Sequence, residues 1–358
     1  MKHATGMARH VRLALACGLL GWAALGQAQD GRWEDQPRQP EASEIKPLAD
    51  KAIVNDLKRA GDRLVAVGER GHILLSDDGD KWRQVQAPVR AMLTRVTFVD
   101  DRNGWAVGHD GSVLRTTDAG ESWELRHWDA AWGRPFYDAI FTTPERGLVI
   151  GSNGRMLRTE DGGQSWEEVS NEVFDTGFHL YEIERLDGGA LMIAGERGFL
   201  ARSLDDGESW QMIEPPYIGS YFGVIPVGPH SAVLYGLQGK VFRAIDVREL
   251  TILDDPMAYD PFINESVTDP QMLAAMGWQA FENPVVESLF GGSLYEDGGA
   301  GTLVLVGVDG TIVSGSADQA QLAPVQSPTD QPLSDVIVQA ERLLMSSRTG
   351  MQTAGKPQ

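Results

Sequence analysis

Short apolar runs recur along the chain and are separated by turns rich in glycine and aspartate. The clearest example is residues 104–108 (GWAVG), which a tight turn joins to residues 112–115 (SVLR). Two such runs flanking a Gly-x-x-Gly turn predict a β-hairpin, because glycine supplies positive φ at no steric cost. We therefore expect an all-β protein built from short antiparallel strands.

A second turn sequence repeats with a period near forty residues. The segment TTDAGESW at 116–123 recurs in similar form at 159–166 and 203–210 and, one residue shorter, at 76–82. Its tryptophans are spaced by 41, 43 and 44 residues, which indicates a repeat architecture. The segment resembles the Asp-box, a hairpin turn of β-propellers in which Asp accepts hydrogen bonds from turn N–H groups. The residues predicted to have this structural role are Asp78, Asp118, Asp161, Asp205, Trp82, Trp123, Trp166 and Trp210.

The Gly-x-x-Gly turn extends the repeat over the rest of the chain. It begins at positions 68, 108, 151, 195, 236 and 307, with a degenerate copy at 347. The one long interval, 71 residues, indicates an insertion at about 251–285 and not a missing unit. Four strands per period describe a propeller blade. The sequence therefore predicts a seven-bladed β-propeller with four-stranded antiparallel blades over residues 29–354 and a tail at 355–358, with the Asp-box tryptophan lost in blades five to seven.

The last blade has no outer strand of its own in the sequence, since no strand follows residues 351–354. The segment around Trp33 looks like the openings of the outer strands at Trp123 and Trp166. We expect this N-terminal segment to supply the missing strand and to close the ring, because closure removes an exposed sheet edge.

Residues 1–28 have the three parts of a secretory signal. An apolar core at 13–25, too short to span a membrane, leads to small residues that end at Ala28. The basic residues before it are Lys2, Arg9 and Arg12. The sequence predicts a soluble periplasmic protein cleaved near Ala28, and the alternative is a lipoprotein anchored at Cys17.

Acidic residues strongly outnumber basic ones. The chain has 51 Asp and Glu against 31 Lys and Arg, a net charge of −20. Loss of the three basic residues of the signal makes this −23, which disfavours binding to nucleic acid or anionic lipid. Cys17 is the only cysteine, so cleavage leaves no thiol chemistry. The histidines form no short ligand motif, and no metal or cofactor is expected.

The repeat from Leu93 to Trp123 is similar to that of the photosystem II stability/assembly factor family. The resemblance is strongest over residues 63–210 and weak after Asp246. It implies a seven-bladed propeller of the thylakoid lumen or bacterial periplasm that is not an enzyme and helps to assemble membrane complexes. Similar proteins occur in bacteria without photosynthesis, beside exporters of the resistance-nodulation-division type. The implied partner is therefore a membrane protein or its periplasmic loops, with a neighbouring exporter as a further candidate.

The family also implies an arginine-rich patch on one face, and the Gly-x-x-Gly turns give the nearest matches. In a four-stranded blade these turns share a face with the connections between blades, while the Asp-box turns emerge on the opposite face. We expect a partner to bind the former face. The alternative is that these are ordinary solvated turn residues, since surface ion pairs contribute little. The candidate binding residues are Arg70, Arg197, Arg155, Arg348, Glu69 and Glu196.

Two further features have structural and functional interpretations. Four arginines recur at one position of the third strand and are predicted to pack blades together: Arg115, Arg158, Arg202 and Arg243. In the insertion, Asp269 and Pro270 predict a helix start, with Met272, Leu273, Met276 and Phe281 at near-helical spacing. The insertion is either a lid on the propeller or a helix that meets a partner through methionines.

Asp-boxes also occur in sialidases and other glycosidases, so hydrolysis is the alternative function. No Arg-Ile-Pro motif of the sialidase type occurs in this chain. Glycosidases need two facing carboxylates about 5 to 9.5 Å apart. The carboxylates on the expected face, Glu69, Asp110, Glu196 and Asp309, come from separate blades. We predict a non-enzymatic binding and scaffold protein.

Overall fold

Seven antiparallel sheets are formed by residues 39–296 and 301–357, the parts of the chain that the computed structural model describes. Within each sheet the strands follow one another in chain order. The first strand of each sheet packs beside the first strand of the next, and that of the last sheet packs beside that of the first. These innermost strands surround a central channel. The predicted seven-bladed propeller is confirmed.

Blades one to four occupy residues 54–212, and each has four strands. Their strands are β1 (Val54–Ala60), β2 (Arg63–Gly68), β3 (Ile73–Ser76) and β4 (Arg83–Val85); β5 (Leu93–Phe98), β6 (Gly104–Gly108), β7 (Ser112–Thr116) and β8 (Glu124–His127); β9 (Phe136–Phe141), β10 (Gly147–Gly151), β11 (Met156–Thr159) and β12 (Glu167–Glu168); and β13 (Leu180–Arg185), β14 (Leu191–Gly195), β15 (Leu200–Ser203) and β16 (Gln211–Met212).

Blades five and six also have four strands, and blade seven has three in the described part of the chain. The strands are β17 (Tyr221–Pro226), β18 (Ala232–Gly236), β19 (Val241–Ala244) and β20 (Trp278–Ala280); β21 (Leu289–Tyr295), β22 (Thr302–Gly307), β23 (Ile312–Ser316) and β24 (Ala323–Pro324); and β25 (Leu333–Gln339), β26 (Arg342–Ser347) and β27 (Gly350–Gly355). One short helix, α1 (Pro270–Ala275), lies in the insertion of blade five.

The core lies between neighbouring blades. Trp105 of blade two is fully buried and stacks on Phe141 of blade three, with the ring planes 4° apart. Similar clusters join the other blades, where valine, leucine and isoleucine of the second and third strands fill the space between sheets. Burying each such side chain contributes about 1.5–3 kcal/mol, so the blades stabilise one another.

The recurring arginines of the third strands join each blade to the next, as predicted. Arg115 donates from Nη1 to the carbonyl of Gly162, at 3.2 Å, in the Asp-box turn of blade three. Arg158 bonds Glu208 at 2.9 Å, and Arg243 bonds the Asp318 carboxylate at 3.1 Å. Arg202 reaches the carbonyl of Val247. Each guanidinium thus satisfies polar groups of the adjacent turn while its stem packs between sheets.

The Asp-box carboxylates bind the backbone of their own turns. Asp118 accepts bonds from the backbone N–H of Ser122 at 2.9 Å and from its hydroxyl at 2.6 Å. The indole of Trp123 donates to the carbonyl of Gly120 at 3.0 Å. The turns at Asp161 and Asp205 have the same serine bonds. Because these oxygens are used within the turn, they hold the entry to the outer strand in place.

The insertion lies earlier than predicted, and blade five retains its tryptophan. The extra residues occupy 245–277, between β19 and β20, whereas the sequence indicated about 251–285. Arg243 pairs with Gln279 in the sheet, as Arg115 pairs with Glu124, so Trp278 occupies the position of Trp123. The prediction that blade five had lost this tryptophan is therefore wrong. The insertion replaces the Asp-box turn and moves the tryptophan away from the spacing of the other blades.

The insertion crosses the outer edge of blade four and returns to blade five. Ile252 forms an antiparallel bridge with Ile213, beside β16. Further along, the hydroxyl of Tyr259 donates to the carbonyl of Arg197 at 2.8 Å, in the Gly-x-x-Gly turn of blade four. Helix α1 begins as predicted, with the Asp269 carboxylate accepting bonds from the N–H groups of Gln271 and Met272. Leu273 is buried against the propeller, which favours the lid interpretation.

Two of the four residues at the predicted helical spacing, Met276 and Phe281, lie outside helix α1. Phe281 follows β20 and packs in the core between blades five and six, because α1 ends at Ala275. Met272 is exposed, while Met276 is partly buried against the core. Helix α1 therefore exposes Met272 to solvent and packs on the propeller through Leu273.

Blade seven meets blade one through β25 and β1 and through an arginine. Arg342 donates to the carbonyl of Asp78 and, at 2.6 Å, to the carboxylate of Asp80, both in the first Asp-box turn. The predicted strand containing Trp33 and the signal at 1–28 lie outside the described residues. Within the described parts, no helix is long and apolar enough to cross a bilayer.

Candidate partner-binding face

The Gly-x-x-Gly turns lie beside the connections between blades, as the strand order of a blade predicts. The N–H of Gly111 donates to the carbonyl of Arg134 at 2.9 Å, and that of Gly154 to Phe178 at 2.8 Å; both acceptors lie in such connections. In blades one to six the second variable residue of the turn has φ near +55°, including Arg70 and Arg197. This left-handed conformation recurs in every one of these turns, so it belongs to the turn and does not mark a particular site.

Glu69 and Glu196 have the same structural task in blades one and four. The N–H of Ile53, just before β1, donates to Glu69 at 3.3 Å. The N–H of His179, just before β13, donates to Glu196 at 3.2 Å. Each carboxylate therefore fixes the start of its own inner strand. The neighbouring arginines approach them only loosely, at 4.0 Å for Arg70 and 3.5 Å for Arg197.

The candidate arginines differ in their availability. The Arg70 side chain is 70% exposed. Arg348 is also exposed, in the turn between β26 and β27 of the neighbouring blade. Arg197 is 46% exposed, and its guanidinium lies over the ring of Phe262 of the insertion, 4.6 Å from the centroid. Blade order places Arg70 and Arg348 side by side and Arg197 three blades from Arg70.

Arg155 is held in a structural contact. Its side chain is only 17% exposed, pairs with Asp129 at 2.9 Å and lies 4.5 Å from the ring centroid of Trp132. These residues line a surface cavity of about 620 Å³ beside the turn of blade three. Since its charge is already paired, Arg155 is the least available of the four arginines.

The channel mouth on this face carries an arc of aromatic rings that sequence reasoning missed. Near the start of each inner strand the register shifts by one residue, and the residue at this bulge is Tyr137, Tyr181, Phe222 and Phe290 in blades three to six. Successive ring centroids are 5.4, 5.4 and 5.2 Å apart. We call these four residues the aromatic arc. Aligning the inner strands at the blade period would have revealed it, because an apolar residue precedes each aromatic one.

Polar residues complete the mouth in the other three blades: Asn55, Thr94 and Ser334. The amide of Asn55 donates to the carbonyl of Leu93 at 2.7 Å, and the hydroxyl of Thr94 donates to the carbonyl of Phe136 at 2.8 Å. These bonds cross to the next blade. Phe222 and Phe290 have no group that could make such a bond.

Directly after the bulge, charged side chains line the channel. Arg95 of blade two contacts carboxylates from three other blades: Asp56 at 3.3 Å, Asp138 at 3.4 Å and Glu182 at 2.8 Å. Lys58 pairs with Asp56 at 3.2 Å and with Asp335 at 3.0 Å. The inner strands are therefore joined by an ionic network as well as by apolar packing.

Burial and neighbouring charges change the pKa values in this network. Burial raises the pKa of Glu182 to about 8 and that of Glu184 to about 7. Burial opposes ionisation of Asp56, but Lys58 and Arg95 lower its pKa to about 2. At the mouth, burial and the nearby Glu196 raise the pKa of Tyr181 to about 12, so this residue is a neutral phenol. Among the described residues, no group of three or more His, Cys, Asp or Glu is placed to hold a metal ion.

Parts of the chain are similar to a known protein family. The family model described as "Photosynthesis system II assembly factor YCF48" matches residues 74–134 and 130–249. The resemblance to the photosystem II assembly factor family is confirmed. The photosystem II assembly protein Ycf48 of Thermosynechococcus vestitus is 35% identical over 49 residues, 14% of each chain. The chloroplastic stability/assembly factor HCF136 of Cyanidioschyzon merolae is 44% identical over 50 residues, 13% of this chain and 11% of that protein.

Solved structures of this family share the fold over most of the molecule. A Ycf48 bound to a D1 peptide covers 90% of this chain and 98% of its own, with a TM-score of 0.61 and 15% identity. Ycf48 from Cyanidioschyzon merolae covers 88% and 98%, with a TM-score of 0.62 and 13% identity. Virginiamycin B lyase from Staphylococcus aureus is also similar, with a TM-score of 0.65, 10% identity and coverage of 88% and 98%. Since one of these propellers is an enzyme, the fold alone does not decide the activity.

Proposed function

We propose that this protein is a non-enzymatic docking factor that binds a membrane protein in the periplasm and assists the assembly of its complex. The curated relatives are assembly proteins, and one structural relative holds a peptide of D1. The chain matches only 11–15% of the length of these curated relatives. None of these relatives is an exporter component, so the exporter partner stays a prediction.

The observation that carries the proposal is the pairing of Arg197 with the insertion. Phe262 is 77% exposed although the guanidinium lies against its ring, and Ile263 beside it is 75% exposed. A cation and exposed apolar side chains are thus held together on the Gly-x-x-Gly face. Such residues are favoured at the centres of protein interfaces, where arginine binds carboxylates through two parallel hydrogen bonds.

Arg70 and Arg348 provide a second basic position on the same face, in blades one and seven. The net charge of −20 gives no general attraction to an acidic partner, so these arginines would act locally. The rigid ring fixes the separation between the two positions. A partner would therefore be recognised by two contacts at a set distance, one of them partly apolar.

Periplasmic residence is part of this proposal and rests on the signal-like sequence at 1–28. Cleavage there would release a protein able to reach loops of membrane proteins on the outer side of the inner membrane. The glycosidase alternative is not favoured by the relatives.

The test is affinity capture from detergent-solubilised membranes of the native organism. Wild type should retain a membrane protein that the Arg70→Glu/Arg197→Glu double variant loses. The matched control is Arg146→Glu/Arg248→Glu, which reverses two arginines that are each 46% exposed and paired with acids, near the Asp-box turns. Retention of the same membrane protein by the Arg70→Glu/Arg197→Glu variant, or of none by wild type, would refute the proposal.

A further inference from the structure

The aromatic arc is a continuous patch that the packing of the ring does not require. In blades one and two the bulge position holds a small polar residue that bonds the next blade. Blades five and six keep the same backbone register without such a bond, because the position there is phenylalanine. The tyrosine hydroxyls of blades three and four bond serines, Ser152 and Ser220. All four rings are only half-buried. Four neighbouring rings, inclined to one another by 50–65°, therefore form a partly exposed aromatic surface at one rim of the channel.

Among the described residues, carboxyl groups outnumber cations in the channel next to the aromatic arc: Asp56, Asp138, Glu182, Glu184 and Asp335 against Lys58 and Arg95. Asp138 and Glu182 directly follow Tyr137 and Tyr181 in their strands but are buried and contact Arg95, at 3.4 and 2.8 Å, whereas Glu196 lies near Tyr181 and is partly exposed. Of the nearby cations, Arg95 is shared among three carboxylates. The guanidinium of Arg197 lies over Phe262. An incoming positive charge would therefore meet aromatic rings, the partly exposed Glu196 and an excess of buried carboxyl groups, with Arg197 as the nearby exposed cation.

We propose that the aromatic arc binds a basic side chain, lysine or arginine, from a partner polypeptide that docks on this face. The aliphatic stem would lie against Phe222 and Phe290, and the cationic group would lie over the ring faces towards Tyr181. Aromatic faces attract such cations, most strongly where water is partly excluded. This inference deepens the proposed docking function and assigns it a second contact, chemically opposite to the one made by the exposed arginines.

The test uses purified protein and short labelled peptides, with no membrane partner. The probe is a dye-labelled heptapeptide, Ser-Gly-Leu-Lys-Leu-Gly-Ser, measured by fluorescence anisotropy. The same peptide with norleucine or glutamate in place of lysine separates charge from apolar contact. We expect the lysine peptide to bind at least about fivefold more tightly than either, the range that a cation–π contact supplies. Equal binding of the norleucine peptide, or displacement of the lysine peptide by a neutral oligosaccharide, would overturn the proposal.

Variants locate the contact. Phe222→Leu/Phe290→Leu retains apolar bulk but removes two ring faces, and it should weaken lysine-peptide binding at least about fivefold. Leu204→Ala, which removes an exposed apolar side chain next to an Asp-box, is the control and should bind like wild type. Unchanged affinity in the phenylalanine variant would refute the assignment. The comparison of lysine with norleucine uses the unaltered protein, so it decides the question even where a variant folds poorly.

The two proposals fail independently. If capture of a membrane protein depends on Arg70 and Arg197 but the lysine and norleucine peptides bind equally, the docking function stands and the aromatic contact is refuted. If the lysine peptide binds more tightly than the norleucine peptide but no membrane protein is captured, the aromatic contact stands and the docking function is refuted.

Discussion

Replacing Arg95 with methionine should destabilise the propeller, and the loss should be larger at alkaline pH. Arg95 is largely buried and is within 3.4 Å of carboxylates from blades one, three and four. Breaking a buried ion pair by removing one partner costs about 3–5 kcal/mol. Because Lys58 still pairs with Asp56, the orphaned charges are mainly those of Asp138 and Glu182. We therefore expect the free energy of unfolding to fall by about 3–5 kcal/mol at pH 8.5, the cost of one broken buried pair and not the sum over three pairs.

The pH dependence follows from the direction of the pKa shifts. Burial raises the pKa of Glu182 to about 8, and burial also raises the pKa of Asp138. A raised pKa in the folded state contributes stability below the unfolded value, and this stability is lost as pH rises through the folded value. Removing the guanidinium raises both pKa values further. At pH 5 Glu182 would be neutral in the variant, so the cost should fall below the roughly 3–5 kcal/mol expected when its charge is orphaned.

Urea unfolding followed by far-ultraviolet circular dichroism, at pH 5 and pH 8.5, measures this difference. Arg115→Met is the matched control, since Arg115 donates to the Gly162 carbonyl, which does not titrate. Its cost should be the same at both pH values. Equal losses for Arg95→Met at the two pH values, or a loss under about 1 kcal/mol at pH 8.5, would show that the network does not hold the blades as described.

Two further predictions follow from the sequence and the Gly-x-x-Gly face. Mass spectrometry of the exported protein should find cleavage near Ala28 and no lipid, since residues 1–28 have the pattern of a cleavable signal; an intact Met1 or a lipid on Cys17 would contradict this. The purified protein should not hydrolyse aryl glycosides, because Glu69 and Glu196 lie three blades apart and each accepts a backbone N–H bond; turnover that Glu69→Gln or Glu196→Gln abolishes would favour the glycosidase alternative.

Some features of the site could be predicted and others could not. The placement of the Gly-x-x-Gly turns beside the connections between blades was predicted correctly, because the position of a hairpin turn within a blade follows from strand order. The partners of Arg155 were not predictable, since Asp129 and Trp132 reach it from the connection after β8. The contact between Arg197 and Phe262 depends on how the insertion crosses blade four. Both are contacts between segments whose distance in space the sequence does not specify.

Blade five shows where periodicity fails. The extra residues at 245–277 displace Trp278 from the common spacing, so its equivalence to Trp123 appears only in the strand pairing. Gly223 offers a related case. A Cβ at this position would lie 2.0 Å from the ring of Tyr235, so the glycine admits a side chain from the neighbouring strand. The sequence shows only that Gly223, like Gly291, is uncharged at the position after the bulge, where the other five blades have a charged residue.

The sequence by itself determined the number of blades, the two turn types and the face that each turn occupies. These features are local and repeated, since a turn needs its own glycine or aspartate wherever the chain reverses. The tertiary structure decided which arginines are exposed and where the insertion lies. It also decided that the aromatic arc and the ionic network meet at one channel. Those depend on closing the ring, which brings side chains from separate blades to within bonding distance.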